Sequence, residues 1–164
     1  MRVSSVVALT ACVLAALAHA EDATTLPAFA IYRAVDAKFP EARPFTFESP
    51  EGKPVGGHYD PKPIVLLKDV FELQAIATEY GAQPWPGLGV RFTNDGNRAV
   101  ALATSKEDQN HFVIVAGRKV VGQIEGAQLW KIGTARLKML ITLPRDPEKM
   151  NRDIAREVNE AKKK

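Results

Sequence analysis

The chain has 164 residues, of which 46% are apolar and 25% charged, with a formal charge of +3. These proportions exclude a wholly disordered, collagen-like or coiled-coil chain. So small a charge gives no basis for binding nucleic acid or an anionic membrane surface.

Residues 1–20 read as a cleavable export signal. Met1-Arg2 is a short positive start, Val6 to Leu17 is apolar, and Ala18-His19-Ala20 offers small residues to a signal peptidase. The apolar run is short of the ~20 residues that span a bilayer, so an uncleaved anchor is not expected. Leu9-Thr10-Ala11-Cys12 also resembles the lipobox of bacterial lipoproteins, and lipidation of Cys12 is the competing reading. The apolar Val13–Leu17 segment that would then follow is a poor tether. Loss of residues 1–20 leaves 144 residues with a charge of +2 and no cysteine. The expectation is one periplasmic domain, 21–164, held together without disulfides.

Phe29 to Val35 alternates as a strand does. Six of the eleven prolines then fall between Pro40 and Pro63, together with Gly52, Gly56 and Gly57. Each proline fixes φ and disfavours helix at the residue before it, which predicts a loop-rich excursion over 38–61. Pro63 to Leu67 has the length of a short strand. Asp69 is a candidate N-cap for a helix to Tyr80, with Val70, Leu73 and Ala77 on one face and Gly81 as its stop. Leu88 to Thr93 reads as a strand, and Thr93 or Asn94 as the cap of a helix to about Ser105.

His111 to Ala116 and Lys119 to Ile124 are β-branched runs joined at Gly117-Arg118, a hairpin signal. Ala135 to Leu143 alternates as a further strand. Asp146-Pro147-Glu148 opens a C-terminal helix over 146–163, with cap, proline and acid in their favoured places. Met150, Ile154 and Val158 form its apolar stripe. This order predicts an α+β domain: a mixed, mainly antiparallel sheet with helices packed on one face.

Leu88-Gly89-Val90-Arg91-Phe92-Thr93-Asn94-Asp95-Gly96 resembles the strand and helix start of the head subdomain in the first periplasmic domain of SecD/SecDF. Thr93, Gly96 and Thr104 fall in matching places. Phe112 to Val121 is similar to that family's hairpin, and Val65-Leu66-Leu67-Lys68-Asp69-Val70 to its strand leading into an Asp-headed helix. Phe29-Ala30-Ile31-Tyr32 resembles the opening strand of stand-alone exported relatives. The resemblance covers about 28–143 and departs from the family at Gly122-Gln123-Ile124 and Gln128 to Lys131. It implies a domain that contacts protein, without the membrane helices through which SecD/SecDF uses the proton gradient.

The residues suited to catalysis are sparse. After residue 20 there are two serines, Ser49 and Ser105, and two histidines, His58 and His111. A metal centre needs three or four ligands, and neither serine has an Asp-His set beside it in sequence. His58-Tyr59-Asp60 reads as a polar loop, and Gly87-Leu88-Gly89 is too short for a phosphate loop. No catalytic residue, metal or cofactor is expected.

The aromatic residues suggest contact with a partner. Trp85 lies between Pro84 and Pro86, and Trp130 between the hairpin and the last predicted strand. Aromatic residues on loops are natural interface anchors. The hairpin adds Arg118 and Lys119, and the run 119–124 could offer a sheet edge to an extended peptide. Trp85, Trp130, Arg118 and Lys119 are the candidate partner-binding residues. The leading expectation is a non-catalytic periplasmic module that binds protein or extended peptide. A periplasmic immunity or inhibitor protein, and an enzyme with the proline-rich excursion as its lid, are the alternatives.

Overall fold

The computed structural model describes residues 25–49, 52–80, 83–104, 111–127, 129 and 147–164. The export signal with Cys12, Trp130, the strand expected at 135–143 and the Asp146 cap lie outside the described residues.

Strand β1 (Phe29–Val35) forms where the alternation places it. It is the centre of the main sheet. One side pairs with β7 (His111–Ala116), from Phe29 opposite Ala116 to Arg33 opposite Phe112. The other side is shared. Ala30 and Ile31 pair with the two-residue β4 (Val65–Leu66), and Ala34 and Val35 with β3 (Pro54–Tyr59). β2 (Arg43–Glu48) flanks β3, and β8 (Lys119–Glu125) flanks β7, in the order β2-β3-β1-β7-β8. The sheet curls until β2 lies alongside β8. Every strand pairing among the described residues is antiparallel.

Two sequence expectations are corrected here. The excursion 38–61 is extended, as its prolines require, but it is paired. β2 and β3 form a hairpin from Arg43 opposite Tyr59 to Glu48 opposite Pro54. Phe45 and Tyr59 alternate inward and are buried. Their burial supplies the pairing energy that a proline count misses, and Pro44 is tolerated because β2 is an edge strand.

The second correction is larger. No helix runs from Asp69 to Tyr80. Leu67–Asp69 is one 3₁₀ turn, and Val70–Tyr80 is strand β5, paired with β6 (Gln83–Phe92) in a separate two-stranded ribbon. The Asp69 carboxylate accepts the Leu66 N–H at 3.0 Å, closing the 3₁₀ turn instead of opening a helix. Val70, Phe71, Ile76, Thr78 and Tyr80 favour strand. Pro84 and Pro86 prevent a helix downstream, so that segment satisfies its backbone by pairing, and 70–80 is the nearest partner. The helix start at Asp69 implied by the SecD/SecDF resemblance is therefore not formed.

Helix α1 (Asn94–Thr104) begins as expected. The Thr93 hydroxyl accepts the Gly96 N–H at 3.1 Å, and the Thr93 carbonyl accepts the Asn97 N–H at 2.9 Å. Helix α2 (Pro147–Ala161) buries Ile154, Ala155 and Val158. Both helices cover the same face of the sheet, where Val100, Ile154 and Val158 join Phe29, Ile31, Phe112, Ile114, Leu73, Leu88 and Val90 in one core. The opposite face of β1 and β7 carries a smaller core of Ala30, Tyr32, Val113 and Val115, roofed by Phe45 and Tyr59. The fold is α+β.

The smaller core has an alkaline signature. Burial raises the Tyr32 pKa above 10.0, the neighbouring Tyr59 raises it further, and Arg43 partly offsets both. The folded state thus favours the neutral phenol. Its contribution to stability is complete below the unfolded pKa and disappears as pH rises through the folded one. The urea midpoint is expected to fall above about pH 10, and to fall less in Tyr32→Phe. Equal slopes in the two proteins would refute this account.

Candidate binding surface

Helix α2 holds the base of the ribbon β5–β6. The Asn159 side-chain amide donates to the Leu73 carbonyl at 2.7 Å, and its oxygen accepts the Leu73 N–H at 3.3 Å. One carboxamide thus takes the place of a neighbouring strand's peptide group. Three residues on, the Lys162 ammonium donates to the Phe71 carbonyl. Phe71 is exposed at a bulge between Val70 and Glu72. Its ring lies 4.4 Å from the Arg91 guanidinium carbon and 5.7 Å from the Lys162 ammonium. Arg91 also reaches Glu72 at 3.4 Å, an exposed pair that adds little stability.

The Asn159 bonds fix which way the ribbon's backbone points. Leu73 turns both of its polar groups away from β6. With the period of two, Ala75, Ala77 and Glu79 do the same, while Gln74, Ile76 and Thr78 face β6. On β6, Val90 opposes Leu73, so Leu88, Pro86 and Pro84 face outward in turn, opposite Ala75, Ala77 and Glu79. Both prolines therefore stand on the outer edge of β6, where their missing N–H costs the ribbon nothing. The same prolines leave that edge poor in donors. Among the described residues nothing pairs with the outer edge of β5 beyond Leu73. From Leu73 to Val90 the sequence has a single charged residue, Glu79.

The candidate residues read from sequence fall in separate places. Trp85 is on the ribbon, its backbone opposite Thr78. Arg118 and Lys119 are on the main sheet, at the turn between β7 and β8. Gly117 and Arg118 have φ of 58° and 59°, the left-handed pair of a type I′ hairpin. Gly117 donates to the Ala28 carbonyl at 2.9 Å, and the Arg118 guanidinium reaches Glu157 of α2 at 3.4 Å. Arg118 thus reaches from the hairpin to the helix in another exposed pair that adds little stability, while Lys119 is exposed. The β8 edge lies alongside β2.

His58 sits in β3 opposite Pro44 and Val35, in a strand and not in the polar loop expected. His111 begins β7 opposite Glu125. Among the described residues no three His, Cys, Asp or Glu side chains gather where they could hold a metal ion. Among those residues, too, no helix is long and apolar enough to cross a membrane.

The helical spacing of residues 69–80 hides this strand edge from the sequence. A signal for it exists: Pro84 and Pro86 are two apart, the spacing that puts both on one edge of a strand. Comparison with protein-family models, with curated proteins and with solved structures finds no match to this chain.

Proposed function

We propose that this chain is a non-catalytic module that binds an extended segment of protein or peptide by strand addition, working in the periplasm. The observation that carries the reading is the asymmetric ribbon: among the described residues nothing pairs with β5 beyond the residue held by Asn159, while Pro84 and Pro86 close the outer edge of β6. Main-chain bonding at such an edge supplies affinity with little demand on side-chain sequence. Trp85 lies on the same ribbon, and aromatic residues commonly anchor such contacts. The export-signal pattern in residues 1–20 supports the compartment. The resemblance to a SecD/SecDF head supports a partner that is polypeptide.

Peptides of alternating Thr and Val, titrated into labelled protein and followed by amide NMR, test the reading. Saturable shifts are expected at Ala75, Ala77 and Glu79, with none at the outward residues of β6. Absence of saturable binding at about 1 mM peptide, a free energy near 4 kcal/mol, would overturn it. Reproducible turnover of a generic hydrolase substrate that is abolished in His58→Ala would overturn its non-catalytic part.

A further inference from the structure

We infer that Tyr32, Tyr59 and Arg43 form a binding site for a carboxylate group, on the face of the main sheet opposite the two helices. The inference goes beyond strand addition and uses no residue of the ribbon.

Register brings the three side chains together. Arg43 of β2 is directly opposite Tyr59 of β3, and Tyr59 is directly opposite Ala34 of β1. Directly opposed residues point to the same side of a sheet, with Cβ atoms about 4.5–5.5 Å apart. Tyr32 lies two residues before Ala34 and so on that side too. The Tyr32 and Tyr59 ring centroids are 4.7 Å apart. Phe45, two residues from Arg43, packs on Tyr59 at 6.4 Å. Its ring has room because Gly57 stands opposite, where a Cβ would meet it at 3.0 Å. Leu129 and α2, the described neighbours of 130–146 in the chain, belong to the core on the other face of the sheet.

The rings are packed while the hydroxyls are free. Tyr32 and Tyr59 are each 6% exposed. Among the described residues neither hydroxyl has a hydrogen-bond partner, and neither is sealed from solvent. Each therefore keeps an O–H donor available at the rim of an aromatic cluster. Arg43 is exposed and enters no ion pair among the described residues, so its fork of N–H donors is free as well. Burial and then Tyr59 hold the Tyr32 pKa above 10.0, with Arg43 acting in the other direction, so Tyr32 remains a donor at neutral pH.

The donor set selects the ligand. Two hydroxyls and a planar guanidinium offer donors and a single positive charge. A carboxylate answers with two acceptor oxygens and a single negative charge, and an arginine fork takes it bidentately. A phosphate monoester carries about −1.5 to −2, more than Arg43 balances. The rings of Tyr32, Tyr59 and Phe45 beside the donors fit a carboxylate borne on an apolar or aromatic body.

The test is a titration of the full chain, labelled with carbon-13 at tyrosine Cζ, with sodium benzoate at pH 7 and constant ionic strength. Saturable shifts of the Tyr32 and Tyr59 resonances are expected, half complete at about 1 mM. Tyr32→Phe keeps the ring and removes one donor, and is expected to weaken binding about tenfold. Arg43→Gln removes the charge at an exposed position and is expected to abolish binding with an unchanged circular dichroism spectrum.

Two further titrants identify the source of the carboxylate. Tighter binding of the tripeptide Ala-Ala-Phe than of benzoate, lost in its C-terminal amide, would support the site and assign it a polypeptide end. Tighter binding of benzoate would support the site and assign it a free small acid. Inorganic phosphate binding as tightly as benzoate would overturn the carboxylate as ligand. Absence of saturable shifts at about 50 mM benzoate, or binding undiminished in Arg43→Gln, would overturn the site.

Discussion

Phe112→Ala is expected to destabilise the protein by about 3–5 kcal/mol, measured as a lowered urea midpoint at unchanged slope. Phe112 is fully buried on β7 and belongs to the core shared by β1, the ribbon and both helices. Truncation removes transfer energy and leaves a cavity whose walls are strands in a ladder, which limits collapse. Against a total stability of about 5–15 kcal/mol for an ordinary domain, this loss is enough to unfold a marginal protein. Phe112→Leu is expected to cost much less, because most of the volume is kept. A loss below about 1 kcal/mol for Phe112→Ala would show that the core is not centred on this face.

Gly96→Ala is the second large effect, and its sign runs against helix propensity. Alanine in a helix is ordinarily favoured over glycine by about 1 kcal/mol. Here a Cβ would stand 2.4 Å from the Asp69 carbonyl oxygen, 3.0 Å from Phe92 Cβ and 3.1 Å from Asp69 Cβ. These are backbone-anchored atoms and do not swing away. Relief requires α1 to back off from the 3₁₀ turn. That movement stretches the bond from Thr93 N–H to the Asp69 carbonyl, 2.9 Å long, and the Thr93 hydroxyl contact to the same oxygen at 3.2 Å. The expected net loss is about 1–3 kcal/mol, read by urea denaturation. Gly89→Ala is the informative contrast, since its Cβ would meet the Ile76 side chain at 3.2 Å, and that side chain is flexible. A Gly96→Ala protein as stable as wild type would mean that α1 and Asp69 are not in close contact.

The elements legible in the sequence are those whose determinants lie within the element or beside it. β1 runs from Phe29 to Val35 as its alternation predicts. Gly117-Arg118 makes a two-residue turn because both positions accept a left-handed backbone. Thr93 caps α1 through its own side chain. β5 was illegible for the opposite reason. Its apolar residues satisfy helical spacing, and the choice of strand is made by Pro84 and Pro86 on a different strand. The β2–β3 hairpin was obscured because prolines report extended backbone, not whether that backbone is paired. The partner-binding residues follow the same division. Arg118 was found at an exposed turn, but its contact with Glu157 depends on the docking of a distant helix. Which backbone groups of β5 point away from β6 depends on register, which composition does not encode.

Asn159 and Lys162 bond to residues 86 and 91 positions earlier in the chain. This gives the fold a direction in time. A chain made or exported from its N-terminus presents β1, the ribbon and the β7–β8 hairpin before the residues that clamp the ribbon's base exist. The base of the ribbon therefore gains these bonds only once Asn159 and Lys162 are available. Removal of Asn159 to Lys164 would leave the main sheet's own pairings in place and release the Leu73 N–H and carbonyl from Asn159. Two side chains of α2 thereby decide whether the backbone at the ribbon's base is bonded within the chain.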